Sequence, residues 1–475
     1  MPDTPLHYQT ITRIADRIRS GELTSVTITQ SILDRISALD GQLKSYVTVM
    51  ADHALSQAEQ ADRELASGQD RGPLHGIPIA VKDLCFTTGV ATMGGSQALA
   101  DHIPDFDGTV VTKLAEAGAV LLGKLNLTEG AMGGYNPNFD APVNPWNPDR
   151  WAGASSSGSG VATAAGLCFG SLGSDTGGSI RFPAAACGTV GLKPTWGRVS
   201  RYGVLALAES LDHVGPLTRS VADAGTMLEA IAGQDPNDPT SLPDPVPDML
   251  EGLVDGLTEI RFGFDEQYAS EGIDEELVKA VGGAVGLLKD LGADIRDIGL
   301  PDMDALVAAW PALCSSEAVA AHRETYPGRR DDYGPWFRGW LDMGDGISAA
   351  EYAEANQIRL ESNGHLRRIF HDIDVLICPS MSGPAHPITR DILYGPPPFA
   401  DDAPPEAARP ANFQRFTAPF DFNGAPTLSV PCGLTQNSLP LSLQFVGRHL
   451  SEPLLCRVGH AYEQATDWHL RHPEI

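Results

Sequence analysis

The stretches "GASSSGSG" (Gly153–Gly160) and "DTGGSIR" (Asp175–Arg181) decide how this chain is read. Either run alone suggests a flexible linker. That reading fits poorly, because each leads straight into apolar sequence, "VATAAGLCFG" after the first and "FPAAACGTVG" after the second. These read as a buried helix and a buried strand, so both Gly/Ser runs belong to a packed core.

Glycine-rich loops that cradle phosphate are the next possibility. A P-loop needs Gly-Lys-Ser/Thr after its spacer, and a dinucleotide loop needs Gly-x-Gly-x-x-Gly opening a helix. Neither pattern is present, since "GSG" at 158–160 is followed by Val-Ala-Thr. The hydrolase elbow Gly-x-Ser-x-Gly is missing as well, because neither Ser155 nor Ser179 is flanked by glycines on both sides at that spacing.

Outward from these runs, the first seventy residues read as helical, with apolar residues at three- and four-residue intervals in "SVTITQSILDRISALD" and "ADHALSQAEQADRELASG". From His75 short apolar runs alternate with helical segments: "GIPIAVKDL", "GTVVTKLAEAGA", "VLLGKL", a helix near 158–167, then "CFGSLGS". The pattern returns with "EIRFGFD", a helix around 274–291, "ADIRDIG", "DVLICPS" and "LPLSLQFVG". Such alternation predicts an α/β fold with a mixed, mostly parallel sheet covered on both faces by helices. No repeat or linker divides the chain, so one domain over 1–475 is expected. Its parts are an N-terminal helical region (1–70), a core (75–225), and a helical insert with a proline-rich loop (301–410).

The bulk numbers agree with a globular protein: 475 residues, 42% hydrophobic and 20% charged. A net charge of −28, from 33 Lys+Arg against 61 Asp+Glu, argues against a nucleic-acid binder, which needs a basic face. The seven cysteines are scattered, lack Cys-x-x-Cys spacing and mostly sit in apolar runs, as free thiols in a reducing compartment do. Neither a metal nor a cofactor is expected. No run of eighteen apolar residues and no secretory leader is seen, so the chain is read as cytoplasmic and not membrane-bound.

Three features carry chemistry. Lys82 lies in the apolar run "HGIPIAVKDL", although lysine is rarely buried. Pairing with Asp83 or another carboxylate is one explanation. The other is a buried amine kept neutral, able to act as a base. A downshift of about three pKa units, on the order of 4 kcal/mol, would turn a group that is almost wholly cationic near neutrality into an effective acceptor. Gly177-Gly178 before Ser179 either makes a tight turn or presents successive backbone N–H groups to an oxyanion. His213 in "SLDHVGP" could complete a Ser-His-Asp triad, but a lone histidine in such a segment is more often structural.

Taken together, "HGIPIAVKDL", "GASSSGSGVATAAG", "GSDTGGSIRFPAAACGTVGLKPTWGRVSRYGV" and "SLDHVGPLTRSVADAG" resemble the amidase signature family over 75–225. The likeness continues more weakly through "DVLICPS", "FNGAPTLSVPCG" and "LPLSLQFVGRHLSEPLLCRVGHAYEQA". The resemblance implies a triad of lysine, a bridging serine after a cis peptide, and a nucleophilic serine. By motif these are Lys82, Ser155 and Ser179, with Ser155 and Ser179 24 residues apart (179 − 155) as the family's pattern requires. Ser156 and Ser157 are rival bridges that this spacing disfavours. Family members usually read Gly-Gly-Ser-Ser where this chain has Gly153-Ala154-Ser155-Ser156, a change of one methyl group that touches packing near the bridge.

The implied oxyanion hole is the backbone of Thr176, Gly177, Gly178 and Ser179, with Asp175 and Arg181 as supports of the loop rather than reactants. Implied pocket walls are Met132, Gly133, Gly134 and Tyr135, with Asn136 beside them, and the aromatic stretch Trp310, Tyr326, Tyr333, Trp336, Phe337 and Trp340. Those six aromatics suit an apolar or aryl substrate or an ordinary helical core. The implied activity is hydrolysis of a small-molecule amide, with anilides, alkyl amides and carbamates (a urethanase) all admissible. The alternatives are the amidase-like component of a tRNA-dependent amidotransferase, which needs a partner subunit to hold tRNA, and a catalytically silent binding relative. A homodimer is one oligomeric state the sequence leaves open.

Overall fold

Periodic apolar residues build the N-terminal helices Ile11–Arg19, Ser25–Leu43 and Ala51–Ala66. The first two are capped by hydroxyls: Thr10 accepts from the Arg13 N–H and Thr24 from the Thr27 N–H. Buried Ile11, Ile14 and Ile18 on the first helix, and Ile28, Ile32 and Ile36 on the second, point their stripes inward. The computed structural model describes residues 4–400, 403 and 413–475. Residues 401, 402 and 404–410 of the expected proline-rich loop, and residues 1–3, lie outside that set.

Eleven strands among the described residues form one sheet. They are β1 (Tyr46–Val49), β2 (Pro78–Lys82), β3 (Val120–Leu125), β4 (Gly170–Asp175), β5 (Val190–Lys193), β6 (His213–Thr218), β7 (Arg261–Phe264), β8 (Asp294–Asp297), β9 (Val375–Pro379), β10 (Thr427–Leu434) and β11 (Pro440–Gly447). Their order is β1-β3-β2-β4-β6-β5-β10-β11-β9-β7-β8. β2, β3, β4, β5, β6, β9 and β11 are buried at every position, so both pleat faces of the central sheet are covered. The result is a single large α/β domain with helices flanking a mixed sheet.

The expectation of a mostly parallel sheet needs correction. Parallel pairing is confined to β2–β3, β2–β4, β7–β8 and β7–β9. The pairs β1–β3, β4–β6, β5–β6, β5–β10, β10–β11 and β9–β11 are antiparallel. Helix–strand alternation counts crossovers but is blind to strands joined without a helix. β10 and β11 form such a hairpin, and β6 follows β5 through irregular chain. The segment "FPAAACGTVG" also divides differently: Arg181–Cys187 is helical and the strand begins at Val190. Its alanine run favours helix, and a short apolar run cannot be assigned by periodicity alone.

Lys82 ends β2, and β4 is its parallel neighbour, with Ala80 opposite Ser171 and Val81 opposite Leu172. The residues after β4 are thereby delivered beside the lysine. The helix Ser157–Ala164 packs against both strands, and at its N-terminus the Gly158 N–H donates to the Asn126 carbonyl at 3.0 Å. A Cβ on Gly158 would stand 2.5 Å from both the Asn126 and Ser45 carbonyl oxygens. Gly158→Ala is expected to cost about 1–3 kcal/mol of stability through this overpacking. A lowered midpoint in urea denaturation checks it.

Candidate active site

Lys82 is buried to 1% exposure, and its Nζ stands 2.6 Å from Ser155 Oγ, 2.9 Å from Ser156 Oγ and 2.9 Å from Ser174 Oγ. Asp83, the nearest carboxylate in sequence, turns away. It pairs with Lys124 Nζ at 3.2 Å and accepts from the Met93 N–H, so the ion-pair explanation for Lys82 does not hold. Burial pushes the lysine down from 10.5 to about 7, with Asp175 opposing at range. A neutral amine has two N–H groups and one lone pair, which matches three hydroxyl neighbours, two taking a hydrogen and one giving it. The N-terminus of the helix Ser157–Ala164, next to this cluster, also disfavours a cation.

The peptide between Ala154 and Ser155 is cis. Ser156 holds the loop to the next strand, donating from Oγ to the Ser174 carbonyl and accepting from the Ser174 N–H. Its own N–H donates to the Ser179 carbonyl at 3.3 Å, which closes the gap between the two Gly/Ser runs. Ser179 is the only partly exposed residue from Trp151 to Cys187. Among the described residues its hydroxyl has no hydrogen-bond partner, so Lys82–Ser155 is in contact while Ser179 Oγ is open.

The turn 176–179 is fixed by its carbonyls. Trp310 Nε1 donates to Thr176 O at 2.9 Å, Thr417 Oγ1 to Gly177 O at 2.7 Å, and the Phe182 N–H to Gly178 O at 2.7 Å. Because N–H and C=O of one peptide point oppositely, the amides of Gly177, Gly178 and Ser179 are aimed as well. Gly178, one of the four expected oxyanion donors, lies at φ +130° and its N–H donates to Asp175 Oδ1 at 2.6 Å. Thr176, Gly177 and Ser179 keep their amides free of hydrogen bonds among the described residues.

Met132 is the only partly exposed residue between Ala119 and Asn136. The Thr128 N–H donates to the Ser155 carbonyl at 3.2 Å, and Thr128 Oγ1 to the Met132 carbonyl at 2.9 Å, which ties this turn to the bridging serine. Gly133 and Gly134 lie under Trp336, where a Cβ would come within 2.7 and 2.6 Å of the Trp336 side chain. Buried Tyr135 donates to Ser157 Oγ at 2.8 Å, so it props the turn from beneath. The six insert aromatics are all buried, and Trp310 and Trp336 are at once core residues and the backing of the two turns. Tyr333 and Phe337 pack edge-on against His322, and Tyr326 against Tyr333.

Comparison with known proteins places this geometry. The family model described as Amidase matches residues 27–456. The chain belongs to the amidase family. It is 47% identical over 466 residues to "Putative amidase AmiD" of Mycobacterium tuberculosis, covering 98% of this chain and 96% of that one. It is 39% identical over 488 residues to the amidase-like component of the glutamyl-tRNA(Gln) amidotransferase of a Geobacter species, covering 97% and 98%. Among solved structures, the native peptide amidase of Stenotrophomonas maltophilia superposes with a TM-score of 0.84 at 32% identity, covering 99% of each chain. No helix among the described residues of this amidase-family chain is long and apolar enough to cross a membrane.

Sequence reading passed over Ser174, which touches Lys82, and Thr417 and Gln414, which hold the turn together with Trp310, a residue expected only as a pocket wall. Ala154 packs in a small apolar cluster with Trp151, Phe182, Ala185 and Met381, which accommodates its extra methyl. Beneath the turn, Arg181 is fully buried and bidentate on Asp175, with Nη2 also 2.6 Å from Asp421. Burial opposes ionisation of Asp175, yet Arg181 and the loop amides hold its carboxyl well below the usual range. Burial and the Asp175 charge push Asp421 upward, so one carboxylate carries the charge that balances Arg181.

His213 sits in the same cluster. Burial keeps it neutral, its Nδ1 faces the Asp175 carbonyl at 3.2 Å, and its Nε2 is 3.2 Å from Lys193 Nζ. A carbonyl only accepts, so Nδ1 carries the hydrogen and Nε2 accepts from the lysine. Both nitrogens are occupied by structure. Arg181→Met leaves Asp175 buried without its cation and is expected to cost about 3–5 kcal/mol, read as a lower denaturation midpoint.

Proposed function

We propose that this protein is a serine amidohydrolase that cleaves the C–N bond of small amides through an acyl-enzyme on Ser179. The observation that carries the reading is Lys82 Nζ, fully buried, touching Ser155 Oγ at 2.6 Å with no carboxylate among the described residues in contact. In the first half-reaction the Lys82 lone pair takes the Ser155 proton while Ser155 Oγ takes that of Ser179. The Ser179 oxygen adds to the amide carbonyl carbon. The backbone amides of Thr176, Gly177 and Ser179 receive the oxyanion, at about 3 to 4 kcal/mol per donor in such sites. On collapse the C–N bond breaks, and the proton returns through Ser155 to the leaving nitrogen. Water then adds to the ester by the same relay, which releases the acid and restores Ser179. Catalytic hydrogen bonds often close only with substrate bound, which suits the open Ser179 hydroxyl.

The Met132–Tyr135 turn, with Trp336 behind it, is assigned as one wall of the substrate site, and its apolar character favours an aryl or alkyl substituent. Carbamates present the same carbonyl and are admissible substrates. The 39% identity to the corresponding amidotransferase component supports a second reading, a glutaminase acting with a partner. The 47% likeness to a protein named as an amidase favours the stand-alone enzyme.

A panel of anilides, alkyl amides and carbamates assayed with the purified chain tests the reading. Turnover without a partner supports the hydrolase, and glutamine hydrolysis appearing only with a co-purified second protein supports the alternative. Ser179→Ala is expected to lower kcat by at least about a thousandfold, and Lys82→Ala by about 10²–10⁴. Wild-type rates in Ser179→Ala would remove the nucleophile assignment. Since only the neutral amine accepts a proton, kcat/KM should rise with pH through about 7 and level off above it. A profile flat from pH 6 to about 9 would contradict the base.

A further inference from the structure

Glu129 is buried to 1% exposure with no cation among the described residues in contact, and three donors from separate segments converge on it. Oε1 accepts from Ser96 Oγ at 2.7 Å and from Asn136 Nδ2 at 2.9 Å, while Oε2 accepts from the Gly334 N–H at 2.7 Å. Gly334 caps the helix Pro335–Gly346, which has no side-chain cap of its own. A carboxylate at that end answers both the free N–H and the positive end of the helix dipole. The backbone of Glu129 meanwhile closes the turn, its N–H donating to Gly134 O at 3.0 Å and its carbonyl accepting from the Met132 N–H at 3.1 Å. Trp336 and Phe337, in the first turn of that helix, press on Gly133, Gly134 and Gly130.

One residue therefore closes the turn with its backbone and grips the aromatic helix with its side chain. We propose that Glu129 is a positioning residue for substrate selection, clamping the helix Pro335–Gly346 onto the Met132–Tyr135 turn so that Trp336 backs a wall for an apolar or aryl substituent. This rests on the assignment of that turn to the substrate site. The clamp needs a carboxylate, because three donors face two oxygens, and the single acceptor oxygen of an amide cannot serve them all.

The test compares an anilide with propionamide as substrates of the full-length enzyme. Glu129→Gln should raise KM for the anilide about tenfold, about 1.4 kcal/mol, with kcat changed less than about threefold, and should raise KM for propionamide less. In Trp336→Ala, adding Glu129→Gln should change the anilide KM by less than about twofold, since the clamp then has no wall to hold. Effects that multiply, or equal losses of kcat on both substrates, overturn the proposal. Should Glu129→Gln fail to fold, Ser96→Ala removes one of the donors and should shift the anilide KM in the same direction by a smaller factor. No shift there overturns the clamp. Met132→Ala separates the two readings: an unchanged anilide KM removes the turn from the substrate site and the proposal with it. A changed KM beside unresponsive Glu129 and Ser96 variants removes the clamp alone.

Discussion

An ammonium ion taken out of water without a counter-ion is among the costliest things a fold can contain, and the arrangement around Lys82 follows from avoiding it. Its neighbours are hydroxyls, which tolerate either charge state, and the nearby carboxylates are engaged elsewhere. Asp83 is held by Lys124, and Asp175 is saturated by Arg181 and by the amides of Gly178 and Ile180. Were either acid free to reach the amine, the cation would be restored and its basicity lost. The sheet makes the separation possible, because successive residues of β2 face opposite sides and β4 arrives in parallel to supply Ser174.

The second constraint is the turn that carries Ser179. Its peptide planes are set from outside, by Trp310, by Thr417 and by the Asp175–Arg181 pair. A flexible glycine pair thus becomes rigid without any bulky side chain of its own, which leaves room for a substrate carbonyl. The buried ions contribute shape more than stability, since such a pair gains little net free energy over an apolar filling.

Residue type pointed to Lys82 and motif resemblance to Ser155 and Ser179; the fold brings Lys82 and Ser155 into contact, and the general α/β architecture was legible as well. Direction within the sheet was not, because β10 and β11 are joined by a hairpin that leaves no helical trace. Lys82, Lys124 and Lys193 are all buried, and it is the fold that separates them: Lys124 pairs with Asp83, whereas Lys82 meets three hydroxyls. A Gly-Gly pair says nothing about where each N–H points, so the Gly178–Asp175 hydrogen bond was not legible. The partners of the turn, Trp310 and Thr417, lie 134 and 240 residues from their acceptors and carry no local signal.

Those long separations bear on how the protein comes into being. A ribosome emits Ser179 well before Trp310 and Thr417 exist, so the growing chain holds this hydroxyl without the contacts that aim its surroundings. The turn reaches its fixed form only once the segments that carry Trp310 and Thr417 have docked on it. The motif-rich middle is consequently not a portable module: moved to another scaffold without its distant anchors, it would bring the chemical groups but not their orientation.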